Sequence, residues 1–389
     1  MRPATAGACR RRLHFRTVLR LGLALAVAVL LVCGSAQGAV PSVQARAYIV
    51  QSSVDGHTLA ARDADARRPM ASITKLMTAL VALEHLSLDE VVTVPAVAAR
   101  VGESSIGLRA GQRMSVRDLL VGTLVPSAND AATTLAVAAG GSEARFVALM
   151  NRKARELGLT GTHYRNPHGL DELGHVSTAR DIAVLLRDAL RVPVIRRYAG
   201  MSRATLSDGR LVESTDNLLG RFGGVVGGKT GHTANAGWSQ AAFARRGGVA
   251  ITAVVLDSPS EAQRDTDLAA LLRFGLASYR SARVVDPART YAAIPVGWGQ
   301  PPVRAVAPRA IVRPTSTDRP LTERVVVPSV AALPVVAGQR LGTVVVRDGS
   351  RIVARSPLVA AASRPAPSVS EKAWWVTRRT VANLAGLVS

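Results

Sequence analysis

The apolar and polar positions change period along the chain. Residues 45–50 alternate as a strand, Asp55-Gly56 supplies a hairpin-type turn, and 58–61 reads as the return strand. From Ser72 onward Ile73, Leu76, Met77, Leu80 and Val81 recur at helical spacing, with Glu84 on the same line. This predicts a helix whose first turn holds Ser72-Ile73-Thr74-Lys75. Ser115-Val116-Arg117-Asp118 starts a helix through about residue 123, which Pro126 breaks. Small residues over 131–139, then 142–157 and 177–190, predict three more helices. The period then shortens: 237–244, a turn at Arg246-Gly247-Gly248, and 249–256 predict a second hairpin, followed by a helix near 265–279. Strands at both ends of a helical block predict an α+β fold, with one antiparallel sheet covered by helices on both faces.

After residue 281 prolines crowd in and valine replaces helix formers. Short strands at 325–327, 343–346 and 351–354 predict a small all-β domain over 281–362. Residues 363–389 read as a linker and an amphipathic helix. Trp374, Val381, Leu384, Ala385 and Val388 share one face, and Lys372, Arg378 and Arg379 add positive charge. This suits a helix lying on an anionic membrane surface; packing against the β domain is the alternative. At the other end five arginines, from Arg10 to Arg20, precede an apolar run over 21–32 and small residues before Ala39. Segment 1–38 is therefore expected to be a secretory signal, or else an uncleaved anchor. The implied location is the cell envelope, at the outer face of the cytoplasmic membrane. Residues 39–280 would form the catalytic domain.

Charge changes the picture less than its size suggests. The 49 Lys and Arg exceed the 27 Asp and Glu, giving +22. The arginines are scattered and not interleaved with aromatics, so no nucleic-acid partner is expected. Removing 1–38 would take six arginines and both cysteines, leaving +16 and no thiol chemistry.

Only four lysines occur: Lys75, Lys153, Lys229 and Lys372. Lys75 lies three residues after Ser72, so the two side chains are neighbours on a helix. A buried lysine can shed its proton and serve as base for a serine nucleophile. Ser127-Ala128-Asn129 sits between two helices, where either polar residue could equally cap the second one. Gly223 to Thr230 matches the phosphate-loop pattern G-x-x-x-x-G-K-[ST], but no strand precedes it and no helix opens at the lysine. Together S-x-x-K, S-x-N and K-T-G, in that order, form the signature of penicillin-binding proteins and class A β-lactamases.

With Pro69-Met70-Ala71-Ser72-Ile73-Thr74-Lys75, Pro126-Ser127-Ala128-Asn129-Asp130, Asn166-Pro167-His168-Gly169-Leu170-Asp171 and Lys229-Thr230-Gly231-His232-Thr233, the chain resembles the D-alanyl-D-alanine carboxypeptidases. These are low-molecular-weight penicillin-binding proteins related to penicillin-binding proteins 5 and 6. The resemblance implies a transpeptidase-like fold and a cofactor-free, metal-free acyl transfer on peptidoglycan stem peptides, with β-lactams as inhibitors. It implies Ser72 as nucleophile, Lys75 as general base and Ser127 as proton relay held by Lys229. Asn129 would bind the acyl amide. Lys229, Thr230 and Arg264 (placed in the turn after the last hairpin strand) would receive the terminal carboxylate. Gly231 completes the strand motif, and the N–H groups of Ser72 and His232 would meet the oxyanion. Three alternatives stand beside it. One is a β-lactamase-like hydrolase. Another is a peptidoglycan-binding scaffold without turnover. The third is a zinc peptidase using His168, Asp171 and His175.

Overall fold

The structure, a computed structural model, describes residues 39–387; the expected signal segment 1–38 lies outside the described residues. The chain opens with the hairpin β1 (Ala47–Ser52) and β2 (Thr58–Arg62). A 3-10 turn over Ala71–Thr74 leads into α1 (Lys75–His85). The short pair β3 (Val91–Thr93) and β4 (Arg113–Ser115) precedes α2 (Val116–Leu124), α3 (Asn129–Gly140) and α4 (Glu143–Glu156). Then come α5 (Ala179–Ala189), α6 (Pro193–Ala199) and the small pair β5 (Arg203–Thr205) and β6 (Leu211–Glu213). Strands β7 (Val225–Thr233), β8 (Gly237–Arg246) and β9 (Val249–Ser258) return to the sheet before α7 (Glu261–Ala277).

The main sheet runs β2-β1-β9-β8-β7, antiparallel throughout. All six residues of β1 are buried, because both faces are covered. Side chains alternate between the faces. Ala47 and Ile49 join a core with α1, α3 and α5, while Tyr48 and Val50 meet Leu268, Leu271 and Leu272 of α7. The first eight residues of α1 are buried among α2, α3, α4 and α5, which suits its apolar run. Side chains of Ser115, Ser142, Thr178 and Ser260 cap α2, α4, α5 and α7, each accepting a backbone N–H of the first turn.

Three expectations change here. Ser72 sits in the 3-10 turn, not the α-helix, because Ala71 has φ +48, outside helical space. The last helix of this layer begins at Glu261, where Ser260 caps it, and ends at Ala277; Tyr279 starts a strand instead. Arg264 therefore lies in the first turn of a helix, not in a free turn.

The second layer is all β. It holds β10 (Tyr279–Val285), β11 (Thr290–Ile294), β12 (Val303–Val306), β13 (Ile311–Ser316), β14 (Leu321–Val326), β15 (Arg340–Asp348) and β16 (Arg351–Ala360). Its sheets run β10-β13 and β11-β12-β16-β15-β14 around Val285, Ile294, Val303, Val344, Val346 and Leu358. An ion-pair chain ties the layers together. Arg319 donates to Asp55 of the first hairpin at 2.7 Å and to the fully buried Asp348 at 2.6 Å. Helix α8 (Val369–Leu387) closes the chain, with Trp375 edge-on to Trp298 of the β layer at 5.5 Å. Among the described residues no helix is long and apolar enough to cross a membrane.

Candidate active site

Lys75 opens α1 and is completely buried, so its amine needs partners. It has three: Ser72 Oγ at 2.7 Å, Asn129 Oδ1 at 2.6 Å and the His168 carbonyl at 2.8 Å. The Asn129 amide nitrogen donates to the Gly102 carbonyl at 2.9 Å, which fixes the amide's orientation. Burial, reinforced by the charge of Lys229, pushes the Lys75 ammonium well below the usual lysine range; Glu103 and Asp130 oppose this. A neutral amine has two hydrogens and one lone pair. The amide oxygen and the carbonyl can only accept, so they take both hydrogens. The lone pair is left facing the Ser72 hydroxyl.

The loop 166–169 braces this turn from below. His168 lends its carbonyl to Lys75, and Pro167 lends its own to the Thr78 hydroxyl. Gly169 has φ +95, and a Cβ there would lie 2.0 Å from the Ala71 carbonyl oxygen. From the other side comes β7, the edge strand. A Cβ on Gly231 would lie 2.9 Å from the Met70 oxygen and 3.1 Å from the Ser72 nitrogen. Only glycine lets the strand backbone come this near the nucleophile.

A cleft of about 280 Å³ gathers Ser72, Ser127, Asn129, Thr230, Gly231, His232 and Arg264 along its walls. Lys75 and Lys229 are buried beneath it. Burial pushes Lys229 down to about 7; Asp216 opposes the shift and Arg264 adds to it. Lys229 donates to the Thr230 carbonyl at 3.1 Å, not to Ser127. Ser127 is held at φ +67, and its hydroxyl faces the cleft without a hydrogen-bond partner among the described residues. Neither Ser127 nor Asn129 caps α3, whose N-cap is Ala128. Arg264 bonds Asp265 at 2.6 Å and lies over the Trp238 ring, on whose indole His232 stacks at 3.9 Å.

The cleft also contains residues that sequence reasoning missed: Glu103, Ser104, Thr215, Trp238 and Glu261. The Thr215 and Thr230 hydroxyls share a hydrogen bond, and the next residue, Asp216, is buried with its carboxyl pushed upward by desolvation. The phosphate-loop match dissolves, because Lys229 lies within β7 and is followed by more strand. The rival metal trio is employed separately. His175 bonds Thr74 and accepts the Arg165 N–H; the His168 ring accepts the Leu170 N–H; Asp171 ties the loop to Thr233 and Asn235. Among the described residues no group of three His, Cys, Asp or Glu side chains is placed to share a metal ion.

Fold and site together define an enzyme of the serine-hydrolase class. Residues 35–260 match the family described as D-alanyl-D-alanine carboxypeptidase, and the chain belongs to that family. It is 29% identical to D-alanyl-D-alanine carboxypeptidase DacF of Bacillus subtilis, over 82% of this chain and 85% of that one. It is 32% identical to DacC of Escherichia coli, over 82% and 84%. The crystal structure of the carboxypeptidase DacD from Francisella tularensis superposes with a TM-score of 0.62 at 26% identity, covering 85% of this chain and 95% of that one. The protein is thus an enzyme of the serine-hydrolase type, in a family that trims D-Ala-D-Ala termini of peptidoglycan stem peptides.

Proposed function

We propose that the protein is a penicillin-sensitive carboxypeptidase that removes the terminal D-Ala from stem pentapeptides through an ester on Ser72. The observation that carries this reading is the set of three partners around Lys75, two of which can only accept. The lone pair of Lys75 takes the Ser72 proton as Oγ attacks the penultimate D-Ala carbonyl. The N–H groups of Ser72 and His232 receive the oxyanion, where losing one donor typically costs about 10²–10³ in rate. The C–N bond then breaks, and the proton reaches the departing D-Ala amine through Ser127. The terminal carboxylate rests near Lys229, Thr230 and Arg264. The second amide hydrogen of Asn129 is free to hold the acyl chain. Water cleaves the ester: its hydroxyl stays on the product carboxyl, and its proton passes through Lys75 to the departing Ser72 Oγ, which restores the serine hydroxyl and the neutral lysine. A β-lactam opens on the same serine, and its ring-opened acyl group stays attached.

Ser72→Ala is expected to lose all labelling by a fluorescent penicillin and all D-Ala release, with the adduct of the parent protein located on Ser72 by mass spectrometry. Labelling that survives the substitution overturns the assignment. The same reading places the protein outside the cytoplasmic membrane, with α8 on an anionic lipid surface. Exposed Trp374 and Val381, with Arg378 over Trp374 and Arg379 over Trp375, support that contact. Deleting residues 369–389 should abolish sedimentation with phosphatidylglycerol vesicles while leaving penicillin labelling intact; undiminished sedimentation counts against the helix.

A further inference from the structure

A second cavity, of about 420 Å³, opens at the far end of the β7–β8 hairpin. The catalytic cleft uses Gly231 of β7, whereas this cavity uses Val226, five residues earlier and hence about 17 Å away along the strand. Its apolar wall is Leu190, Val226 and Phe243, and four arginines line it: Arg187, Arg191, Arg196 and Arg245. Arg191 reaches only Asp188, at 3.4 Å and largely in solvent. The half-buried Arg187 bonds a neutral acceptor, Gln51 Oε1 at 2.5 Å. Arg187, Arg196 and Arg245 make no ion pair among the described residues. Burial and the neighbouring Arg191 both depress the Arg187 guanidinium, as expected where negative charge is lacking.

The basic composition of the chain does not account for this. Its more buried arginines elsewhere find carboxylates: Arg264 has Asp265 and Glu261, and Arg319 has Asp55 and Asp348. Four guanidiniums converging on one cavity with a single weak acidic partner leave an excess of positive charge that a lone carboxylate would not balance. Guanidinium forks match phosphate oxygens two at a time. We propose that this cavity binds a phosphate-bearing anion, with the phosphate held by Arg187, Arg191, Arg196 and Arg245 and its apolar attachment lying on Leu190, Val226 and Phe243. The chemistry is common to a soluble phosphate compound and to a phospholipid headgroup.

The test uses the full chain and the double variant Arg196→Ala with Arg245→Ala, both exposed side chains whose loss leaves the cores intact. Inorganic pyrophosphate and, separately, monomeric short-chain phosphatidylglycerol, which forms no vesicle for α8 to bind, are titrated calorimetrically. Pyrophosphate binding that weakens at least tenfold in the double variant, with melting temperature and penicillin acylation unchanged, supports a soluble ligand. Arginine-dependent binding of the short-chain phosphatidylglycerol alone assigns the site to a headgroup. Binding that is equal in parent and variant, or absent for both probes, overturns the proposal.

Discussion

At the scale of the residue, the site turns on how many hydrogens Lys75 carries. Two buried lysines share one cleft floor, and burial lowers both. The reaction needs Lys75 without its proton and Lys229 with one. Acylation should therefore rise with pH as Lys75 is deprotonated and fall as Lys229 loses its charge. The second-order rate of penicillin acylation is expected to trace a bell, whose limbs report the free enzyme and whose falling limb lies near pH 7. Lys229→Arg should remove that falling limb, since a guanidinium stays protonated throughout the range. A limb that persists unchanged would assign it to another group. Ser72, Lys75, Ser127, Asn129, Lys229 and Thr230 were legible because each motif needs a particular side chain at a particular spacing, whereas His232, expected to act through its backbone N–H, came only with the family resemblance. The His168 and Gly102 carbonyls, which orient Lys75 and Asn129, were not legible, since any residue type offers a backbone oxygen. Thr215 and Asp216 were missed for a related reason: an ordinary polar run says nothing about which strand it will face.

At the scale of the element, the nucleophile is set by a turn clamped between a loop and a strand. Ala71 pays for its position with a left-handed φ, and Ser127 sits in the same region across the cleft. Two such residues, one buried beside the nucleophile and one on the cleft wall, store strain of about 1–3 kcal/mol each, held by the packing around them. Gly169→Ala tests the clamp. The added Cβ would meet the Ala71 oxygen at 2.0 Å, so the loop or the turn must move. Penicillin acylation should fall at least a hundredfold, and chemical denaturation should show a stability loss of about 2 kcal/mol or more. Near-normal acylation would show that the loop yields without disturbing Ser72. Except for the seven-residue α6, the helices of the first layer were readable from period and caps, but the early strands of the β layer were not. β14 was legible only at its end, 325–327, because Leu321 to Arg324 are all exposed, and β13 carries a proline, so neither shows full alternation.

At the scale of the whole molecule, the two layers meet through charge as well as packing. Asp348 is fully buried, and Arg319 links it to Asp55 on the first hairpin. Arg319→Ala leaves Asp348 with Arg351 and the Ser316 N–H as partners. It should destabilise the protein by up to about 3 kcal/mol, read from denaturant midpoints, while penicillin acylation of the folded protein stays unchanged. An unmoved midpoint would mean that solvent replaces the pair at no cost. The sheet order carries a consequence in time. β1, one of the first strands made, pairs with β9, so Ala47 meets Leu256 only after some two hundred intervening residues have appeared. A chain that emerges from its N-terminus has only β2 to pair with β1, whose other edge stays open until β9 appears. Closure of the catalytic layer waits for β9, and contacts this distant in sequence make for slow folding. The nucleophile is thus written early and armed late: Ser72 has no Gly231 beside it until nearly the whole layer exists.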